Sequence, residues 1–300
     1  MMTPDRPTPE PTSEPTAGAL LRSAPLPGLE ARILLAHALG WRRTELITRS
    51  EDPLDETVVA RYRALQARRI EGEPIAQIIG VREFFGLPFE VTPAVLIPRP
   101  ETELLVETAL AAIESIAHPR VLDLGTGSGA IAVAIASARP DARVSAVDRS
   151  PEALAVAARN ADQLLDCARP GGPLQWLQGD WYAGLASSSS FDIIVSNPPY
   201  IAAGDPHLRE GDLRFEPRGA LTDEADGLSA IRAIVAGAGA FLAPAGQLWI
   251  EHGYDQAPDV RAILTEAGFM GVRSLRDLAG IERASGGLRD DAYSSDVERP

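Results

Sequence analysis

The sequence predicts an α/β fold in which a mostly parallel β-sheet carries helices on both faces. From Arg120 onward, short runs rich in β-branched residues alternate with helical stretches, and this alternation is typical of parallel sheets. A chain of 300 residues with 45% hydrophobic content can form one sizeable core and a smaller appended domain. We therefore expect an α/β domain over residues 99–288 and a smaller domain before it.

The N-terminal part of the chain predicts a tail followed by a helical domain. Residues 1–16 are proline-rich and polar, so they bury too little apolar surface to offset the entropy of ordering and are expected to be disordered. Residues 17–79 have helical spacing: "LEARILLAHALG" ends on Gly40, a typical helix C-cap. A second helix is expected to begin after Asp52 as N-cap, with Pro53 at its first position.

The remaining elements follow in chain order. Aromatic and β-branched residues surround a Gly-Leu-Pro turn in "REFFGLPFEV", which predicts a connecting β-hairpin within residues 80–98. The predicted strands and helices after it are "RVLDLG", a helix over 130–138, "RVSAVD", a helix over 151–165, "FDIIVSN", "GQLWIEHG" and a helix over 255–268. Residues 289–300 are expected to form a second disordered tail.

Composition disfavours several classes of protein. A formal charge of −14 repels a phosphate backbone, so stable nucleic-acid binding is not expected. No apolar stretch approaches the roughly 20 residues that span a bilayer, and no signal pattern begins the chain, so we expect a cytoplasmic protein without membrane contact. The single cysteine forms no internal disulfide, and the four histidines lack metal-ligand spacing, so no metal is expected. A monomer is the default expectation.

A glycine-rich loop follows the first strand of the α/β domain. "VLDLGTGSGA" places Gly125, Gly127 and Gly129 between a strand and a helix, where glycines allow a tight turn and a close approach of backbone N–H groups to a ligand. Asp148 ends the second strand and is expected to accept hydrogen bonds from ribose hydroxyls. The loop and the carboxylate together indicate an adenosine-containing cofactor, but they suit a dinucleotide as well as another nucleoside ligand.

The segment "SNPPY" after the strand "FDIIV" distinguishes these cofactors. Two successive X-Pro bonds remove two N–H donors, so the strand end presents only carbonyl oxygens. Asn197 adds a side-chain carbonyl, and Tyr200 adds a flat apolar face with a polar tip. Such a surface suits a planar NH2 group, whose two N–H bonds would be accepted by the Asn197 side chain and the Pro198 carbonyl. Because ligands bind beyond the carboxyl ends of strands in such sheets, this surface is expected to face the glycine loop.

The chemistry that fits these two features is methyl transfer to a conjugated nitrogen. The methyl group of S-adenosylmethionine is already electrophilic, so the protein mainly has to align donor and acceptor and suppress the resonance of the nitrogen. Hydride transfer fits poorly, because nothing near "NPPY" resembles an acid–base partner for an alcohol.

With these residues, the chain resembles the class I S-adenosylmethionine-dependent methyltransferases, and more closely the PrmC/HemK family, over about residues 17–288. "GEPIAQIIGVREFFGLPFEVTPAVLIPRPETE" and "DPHLREGDLRFEPRGAL" are the specific segments; "DLGTGSGAIA", "AVDRSPEAL", "GDW" and "SNPPYI" lie between them in the family's order. The resemblance implies a Rossmann-like domain with a seven-stranded, mostly parallel sheet, and an N-terminal helical bundle that recognises the substrate.

The resemblance also implies residue roles. The cofactor S-adenosylmethionine would be bound by Gly125, Thr126, Gly127, Ser128, Gly129, Asp148, Trp181 and Asn197, with Trp181 at the adenine. The catalytic residues would be Asn197, Pro198, Pro199 and Tyr200, which would hold the substrate amide. The residues from Arg99 to Thr102 would border the site, and His252 would be structural. The implied reaction is methylation of the glutamine N5 in the Gly-Gly-Gln motif of peptide-chain release factors.

Two other functions remain open from the residues. An adenine-N6 methyltransferase acting on DNA or RNA is an alternative, because the exocyclic amine of adenine is also a conjugated NH2 group. Such an enzyme needs a basic track for phosphates, whereas this chain is acidic. A non-catalytic adaptor that binds the cofactor is the third hypothesis, although an adaptor has no use for the acceptor surface at "NPPY".

Overall fold

The computed structural model describes residues 15–290, which form two compact units that divide between Ile79 and Gly80. Residues 1–14 and 291–300, which make up most of the two predicted tails, lie outside the described residues. Within the described range, no helix is both long and apolar enough to cross a membrane.

The first unit is helical. Its five helices are α1 (Ala17–Arg22), α2 (Gly28–Leu39), α3 (Glu45–Thr48), α4 (Glu56–Ile70) and α5 (Ile75–Ile79). The prediction that a helix ends at Gly40 is confirmed, because Gly40 adopts φ 67° and donates its N–H to the last turn of α2. Leu34, Leu35 and Tyr62 are almost fully buried at the centre of this unit.

The predicted start of the second long helix is wrong by a few residues. Helix α4 begins at Glu56, and its N-cap is Asp55, whose side chain accepts a hydrogen bond from Thr57 N at 2.7 Å. Pro53 instead forms a β-bridge with Thr16. The pairing between this segment and the start of the described chain keeps the backbone extended, so the helix starts only after it.

The second unit begins with the predicted hairpin, β1 (Val81–Phe84) and β2 (Leu87–Glu90). The turn is formed by Phe85 and Gly86, one residue before the expected Gly-Leu-Pro turn, with φ of 51° and 76°. Two positive φ values are typical of two-residue hairpin turns, because they match the twist of the strands. Pro88 lies inside β2.

A seven-stranded sheet forms the centre of the second unit, which confirms the predicted fold class. The strands are β3 (Arg120–Leu124), β4 (Arg143–Asp148), β5 (Gln175–Gln178), β6 (Phe191–Ser196), β7 (Leu242–Glu251), β8 (Met270–Arg276) and β9 (Glu282–Leu288). Their order is β5-β4-β3-β6-β7-β9-β8, parallel from β5 to β7, whereas β9 is antiparallel to both of its neighbours.

Helices cover both faces of this sheet. They are α6 (Glu103–Ala112), α7 (Ala130–Ala138), α8 (Pro151–Leu164), α9 (Arg218–Leu221), α10 (Ser229–Phe241) and α11 (Ala257–Glu266), with short 3-10 helices at Pro100–Thr102, Pro206–Arg209 and Gly211–Phe215. One core cluster joins α6, α7 and α8 to Val121 and Ile193, and the other joins α10 and α11 to Leu122 and Ile194. Successive strand residues point to opposite faces, so both sides of β3 and β6 are buried.

The chain order of the strands creates a topological switch at β3 and β6. From β3 the chain continues to β4 and β5 on one side, and β6 and β7 then fill the other side. Leu124 pairs with Ser196 at the carboxyl ends of these two strands. The glycine loop follows Leu124 and "NPPY" follows Ser196, so the fold brings both motifs to the edge where open α/β sheets bind ligands.

A buried asparagine connects the hairpin to the glycine loop. Asn160 on α8 is fully buried; its Oδ1 accepts from Glu90 N at 2.7 Å, and its Nδ2 donates to the carbonyls of Glu90 and Ser128. This side chain therefore satisfies three backbone groups at once.

We expect Asn160→Ala to lower the free energy of unfolding by about 2 kcal/mol, because it leaves buried backbone groups without partners. Urea unfolding followed by circular dichroism measures the change. Gln163→Ala, at an exposed position on the same helix, is the matched control and should change stability little. Equal stability of the two variants would contradict the connecting role of Asn160.

Candidate active site

A cavity of about 480 Å³ lies at the carboxyl edge of β3, β4 and β6. Eight of the predicted site residues line it: Gly125, Thr126, Gly127, Ser128, Asp148, Trp181, Asn197 and Pro199. Gly129, Pro198 and Tyr200 are not among the lining residues. The volume is in the range of pockets that enclose a small-molecule cofactor.

The glycine loop approaches the cavity with its backbone. Gly125 and Gly127 have φ of 73° and 55°, a region that L side chains rarely adopt. A Cβ at Gly127 would meet no atom within 4 Å, and one at Gly125 would lie 3.5 Å from the Trp181 ring. The backbone at Gly127 therefore borders open space in which a ligand can lie, and the loop fits a nucleoside cofactor.

Gly129 has a different role from the other two glycines. Its φ is 81°, and a Cβ there would lie 3.0 Å from the Ala157 Cβ. It is the N-cap residue of α7. Close packing of α7 against α8 therefore requires this glycine, whereas the sequence had predicted contact with the cofactor.

Asp148 holds the loop in place. Its Oδ2 accepts from Gly127 N at 2.9 Å, and its Oδ1 accepts from Ser150 N at 2.9 Å. A carboxylate has about four lone-pair sites, so two remain for hydroxyl groups of a ligand in the cavity. The hydroxyl of Ser150, rather than Asp148, caps α8 by accepting from Ala153 N.

Asp123 is a buried acid beside the loop that the sequence reasoning missed. Its Oδ2 accepts from Thr126 Oγ1 at 2.6 Å and from Ala132 N, and it is fully buried. Within residues 15–290, its Oδ1 has no hydrogen-bond partner. Burial raises the pKa of Asp123 to about 7. The motif "VLDLG" contained the signal, because an acid inside an apolar strand needs a reason to be buried.

This raised pKa predicts a pH dependence of stability. Because the folded pKa lies above the unfolded value of 3.8, the contribution of Asp123 is fully present below about pH 4 and is lost as the pH rises through about 7. Asp123→Asn removes this titration, so we expect wild type to lose stability relative to the variant between pH 5 and pH 8. Urea unfolding at both pH values measures the difference, and Asp162→Asn, an exposed control, should show none. Parallel pH profiles for wild type and Asp123→Asn would contradict the assignment.

Trp181 lines the cavity beside the glycine loop. It is half-buried and adopts φ 50°, which is strained for a bulky residue. A flat indole at this position can stack against a planar ring, as expected for an adenine, and the strain indicates that the surrounding structure holds the side chain there.

One hydrogen bond orients the side-chain amide of Asn197. Its Nδ2 donates to Thr102 Oγ1 at 3.0 Å, and no donor among the described residues reaches its Oδ1. Oδ1 is therefore the amide atom left to accept a hydrogen bond in the cavity. Pro198 is buried, Pro199 lines the cavity, and the described chain contains no cis peptide bond.

Tyr200 does not line the cavity. Its side chain points toward β7 instead. Its hydroxyl donates to Glu251 Oε1 at 3.4 Å, and burial raises its pKa. Its carbonyl accepts from Gln256 Nε2 at 3.0 Å. The tyrosine thus fixes the end of "NPPY" against β7.

Residues far along the chain complete the cavity wall. Arg99 and Thr102 line it, as expected for "PRPET", but Pro100 and Glu101 do not. Glu216 forms an ion pair with Arg99, accepts from Ile97 N at 2.9 Å and has its pKa raised by burial. The lining residues that the sequence reasoning did not assign include Pro217, Gly219, Ala220, Thr222, Asp223 and Glu224. Pro217, Gly219 and Ala220 lie in "FEPRGAL", a segment that the sequence connects only with the family resemblance.

His252 does not line the cavity, and both of its ring nitrogens have hydrogen-bond partners. The ring of His252 is buried, with Nδ1 at 2.9 Å from Gly253 O and Nε2 at 2.8 Å from Ser285 Oγ. Burial lowers its pKa. In the part of the chain that the structure describes, no group of three His, Cys, Asp or Glu residues could hold a metal ion.

Family models match both parts of the chain. The family described as PrmC N-terminal domain matches residues 16–80, and the methyltransferase small domain matches residues 100–210. The catalytic domain of hMettl16, solved in complex with MAT2A 3′UTR hairpin 6, aligns with a TM-score of 0.54 and 16% identity over 82% of this chain and 84% of that chain. This similarity shows the fold alone.

Curated relatives are much closer in sequence. The release factor glutamine methyltransferase of Burkholderia pseudomallei is 70% identical over 275 residues, covering 92% of this chain and 96% of the relative. The protein of the same name from Bordetella pertussis is 55% identical, covering 89% of this chain and 97% of the relative. The chain therefore belongs to the release factor glutamine methyltransferase family.

Proposed function

We propose that this protein transfers a methyl group from S-adenosylmethionine to the side-chain amide nitrogen, N5, of the glutamine in the Gly-Gly-Gln motif of peptide-chain release factors. The names of its relatives at 70% and 55% identity support the substrate. The single structural observation that supports the reaction is the hydrogen bond from Asn197 to Thr102, which leaves an acceptor oxygen in the cavity.

The cofactor would be held by the glycine loop, Asp148 and Trp181. The open space beside Gly127 can contain the polar part of the cofactor. The remaining lone pairs of Asp148 can accept hydrogen bonds from the ribose hydroxyls, and the Trp181 indole can stack on the adenine. When bound, this group supplies an electrophilic methyl carbon. Because that carbon needs no further activation, the chain contributes mainly alignment and exclusion of water.

The substrate amide would be held by two acceptors. If Asn197 Oδ1 and the Pro198 carbonyl each accept one N–H of the glutamine NH2 group, both protons are fixed, and the nitrogen lone pair, perpendicular to the plane of the NH2 group, can point at the methyl carbon. A nitrogen that shares its lone pair less with the carbonyl is the better nucleophile, and once methylated it releases one of its two protons to solvent. A carboxylate lacks the N–H donors for these contacts, so glutamate at the same position should be rejected.

The helical unit would recognise the release factor, in accordance with the predicted substrate-recognition domain over residues 17–79, and the α/β domain over residues 99–288 would perform the chemistry. A monomer in the cytoplasm that does not bind nucleic acid stably remains our prediction from composition.

Labelled S-adenosylmethionine tests the proposed function directly. The purified protein is incubated with the label and with a release factor, with the same release factor carrying Gly-Gly-Glu, or with duplex DNA or structured RNA, and peptide mapping locates the label. We expect label on the glutamine of the first substrate only. Label on nucleic acid would instead support the adenine-N6 alternative, and cofactor binding without any transfer would support the adaptor.

A further inference from the structure

The side-chain amide of Gln256 lies behind "NPPY", and none of the roles proposed above includes it. Gln256 is half-buried and does not line the cavity. It is the N-cap residue of α11, a position that favours Ser, Thr, Asp or Asn, but its side chain makes no capping bond to the helix. The polar end of this side chain is therefore used elsewhere.

Three backbone groups surround the Gln256 amide. Its Oε1 accepts from Gly253 N at 2.8 Å, and its Nε2 donates to Tyr200 O at 3.0 Å and to Gly227 O at 3.3 Å. An amide NH2 group has two N–H donors, so each carbonyl can receive one. Because a backbone N–H can only donate, Oε1 has to face Gly253, and the NH2 group then faces the two carbonyls.

The segment "NPPY" has few other contacts that hold its backbone. Pro198 and Pro199 have no N–H to donate, and in the part of the chain that the structure describes no donor reaches their carbonyl oxygens. Thr102 holds one end of the segment through the Asn197 side chain. At the other end, the donor is the Gln256 amide. The backbone between these two ends therefore depends on both contacts.

Fixing the Tyr200 carbonyl also restricts the Pro198 carbonyl. The ring of Pro199 fixes its φ at about −65°, so few soft backbone dihedrals separate the two carbonyls. A rotation of the Tyr200 peptide is therefore passed on to the acceptor that faces the cavity.

The second carbonyl, that of Gly227, belongs to a wall of the cavity. We call residues 222–228, between α9 and α10, the wall loop; its residues 222–224 line the cavity. The Asp223 carboxylate shapes this loop, because it accepts from Gly227 N at 3.0 Å and from Ser229 N at 2.8 Å. Gln256 thus bonds to the wall loop and to "NPPY" at once.

The wall loop and "NPPY" approach each other closely beside Gln256. Ile201 N donates to Leu221 O at 3.0 Å. Gly227 has φ of 82°, and a Cβ there would lie 2.5 Å from Tyr200 O. This approach requires a glycine, and it brings both carbonyls within reach of one amide.

The loop that carries Gln256 is itself anchored to the sheet. His252 N donates to Arg283 O at 2.9 Å, and His252 Nδ1 lies 2.9 Å from Gly253 O. Gly253 in turn donates to the Gln256 amide. The amide is therefore held in place independently of "NPPY".

We propose that Gln256 is a positioning residue for methyl transfer, which joins the Tyr200 carbonyl to the wall loop and so fixes the direction in which the Pro198 carbonyl faces the substrate. This inference rests on the proposed function. It adds that the acceptor surface is held from behind by a side chain that touches neither the substrate nor the cofactor.

Two substitutions separate the two ends of the amide. Gln256→Met has a similar length but lacks the NH2 group and the amide oxygen, so it breaks all three bonds. Gln256→Glu keeps an acceptor for Gly253 N, but it presents an oxygen to the carbonyls of Tyr200 and Gly227, acceptor against acceptor. Asp255→Asn, at an exposed neighbouring position, is the matched control.

Methylation of a release factor measures kcat and KM, calorimetry measures the affinity for S-adenosylmethionine, and urea unfolding reports stability. We expect both substitutions at Gln256 to lower kcat by about 10- to 100-fold, as a misplaced reacting group does. Cofactor affinity should change less than about threefold, because the contacts of Asp148 and the glycine loop are unchanged. Gln256→Glu should lose at least as much turnover as Gln256→Met, and Asp255→Asn should keep wild-type kcat.

Gly227→Ala disturbs the same contact from the wall loop. Its added methyl group would lie 2.5 Å from Tyr200 O, so the carbonyl has to move away from Gln256, and kcat should fall. The double variant Gly227→Ala/Gln256→Met should lose much less than the product of the two single losses, because both substitutions break one contact. Gly239→Ala on α10, where a Cβ would meet no atom within 4 Å, is the matched control and should keep wild-type kcat.

Wild-type kcat in Gln256→Met would overturn the inference, and so would wild-type kcat in Gln256→Glu, which would transfer the role to the bond with Gly253. Multiplicative losses in the double variant, or a loss of cofactor affinity in proportion to kcat, would also contradict it. If Gln256→Met does not fold, Gln256→Glu and Gly227→Ala decide by the same comparison of kcat with affinity. If wild type itself does not label the release factor, the proposed function fails first, and this inference fails with it.

Discussion

Replacing Asn197 by alanine should lower turnover of the release factor by about 100-fold or more, the cost of losing a contact that positions the reacting group. Asn197 Oδ1 is the side-chain acceptor at the end of β6, and its orientation is maintained by the bond to Thr102. Without it, the substrate amide keeps one acceptor at most and can rotate. Because Asn197 has no part in holding the glycine loop, the affinity for S-adenosylmethionine should change less than about threefold.

Single-turnover methylation and calorimetry separate these two quantities. Gln178→Ala is the matched control: it removes an exposed amide that bonds to Arg149 O and does not line the cavity. The control should keep most of the turnover. A variant at Asn197 that methylates within threefold of wild type, or that loses cofactor affinity in proportion to turnover, would refute the assigned role.

Replacing Asp148 by alanine should weaken the binding of S-adenosylmethionine by about 10- to 100-fold, since hydrogen bonds to a charged group contribute about 1.5 to 3 kcal/mol. Two effects combine in this variant. The carboxylate no longer accepts from ribose hydroxyls, and Gly127 N loses its acceptor at 2.9 Å. The glycine loop then loses the contact that presents its backbone to the cavity.

Titration of the protein with S-adenosylmethionine in a calorimeter measures this loss. Asp162→Ala removes the same charge from an exposed position on α8 and should bind the cofactor as wild type does. At saturating cofactor, Asp148→Ala should recover most of the turnover. If saturation restores nothing, Asp148 acts in the chemical step, and the division of roles between the glycine loop and "NPPY" is wrong.

The motifs that could be identified from the sequence are those whose properties depend on a few consecutive residues and not on the rest of the fold. Gly125 and Gly127 need positive φ whatever surrounds them, and two consecutive prolines remove N–H donors in any fold. The alternation of strands and helices likewise predicted the parallel sheet, because both periodicities are properties of short segments. These features placed the loop, Asp148 and Asn197 at one edge before any contact was known.

Each error has its own physical reason. The start of α4 was displaced because Pro53 pairs with Thr16, and the turn of the hairpin lies at Phe85 and Gly86 because Phe84 pairs with Leu87. Gly129 matched the ligand-binding pattern, but its contact with Ala157 shows that helix packing requires it. A pattern of letters does not distinguish a glycine that faces a ligand from one that faces a helix.

The sequence by itself determined the fold class, the cofactor type and the surface at "NPPY", because each depends on residue chemistry and short-range geometry. Only the tertiary structure decided which groups orient that surface. Thr102 bonds to Asn197, 95 residues away, and Glu216 pairs with Arg99 of the cavity wall, 117 residues away. The direction of a hydrogen bond and the cost of a buried charge depend on such neighbours, so these contacts could not be read from the chain, although Thr102 was expected to border the site.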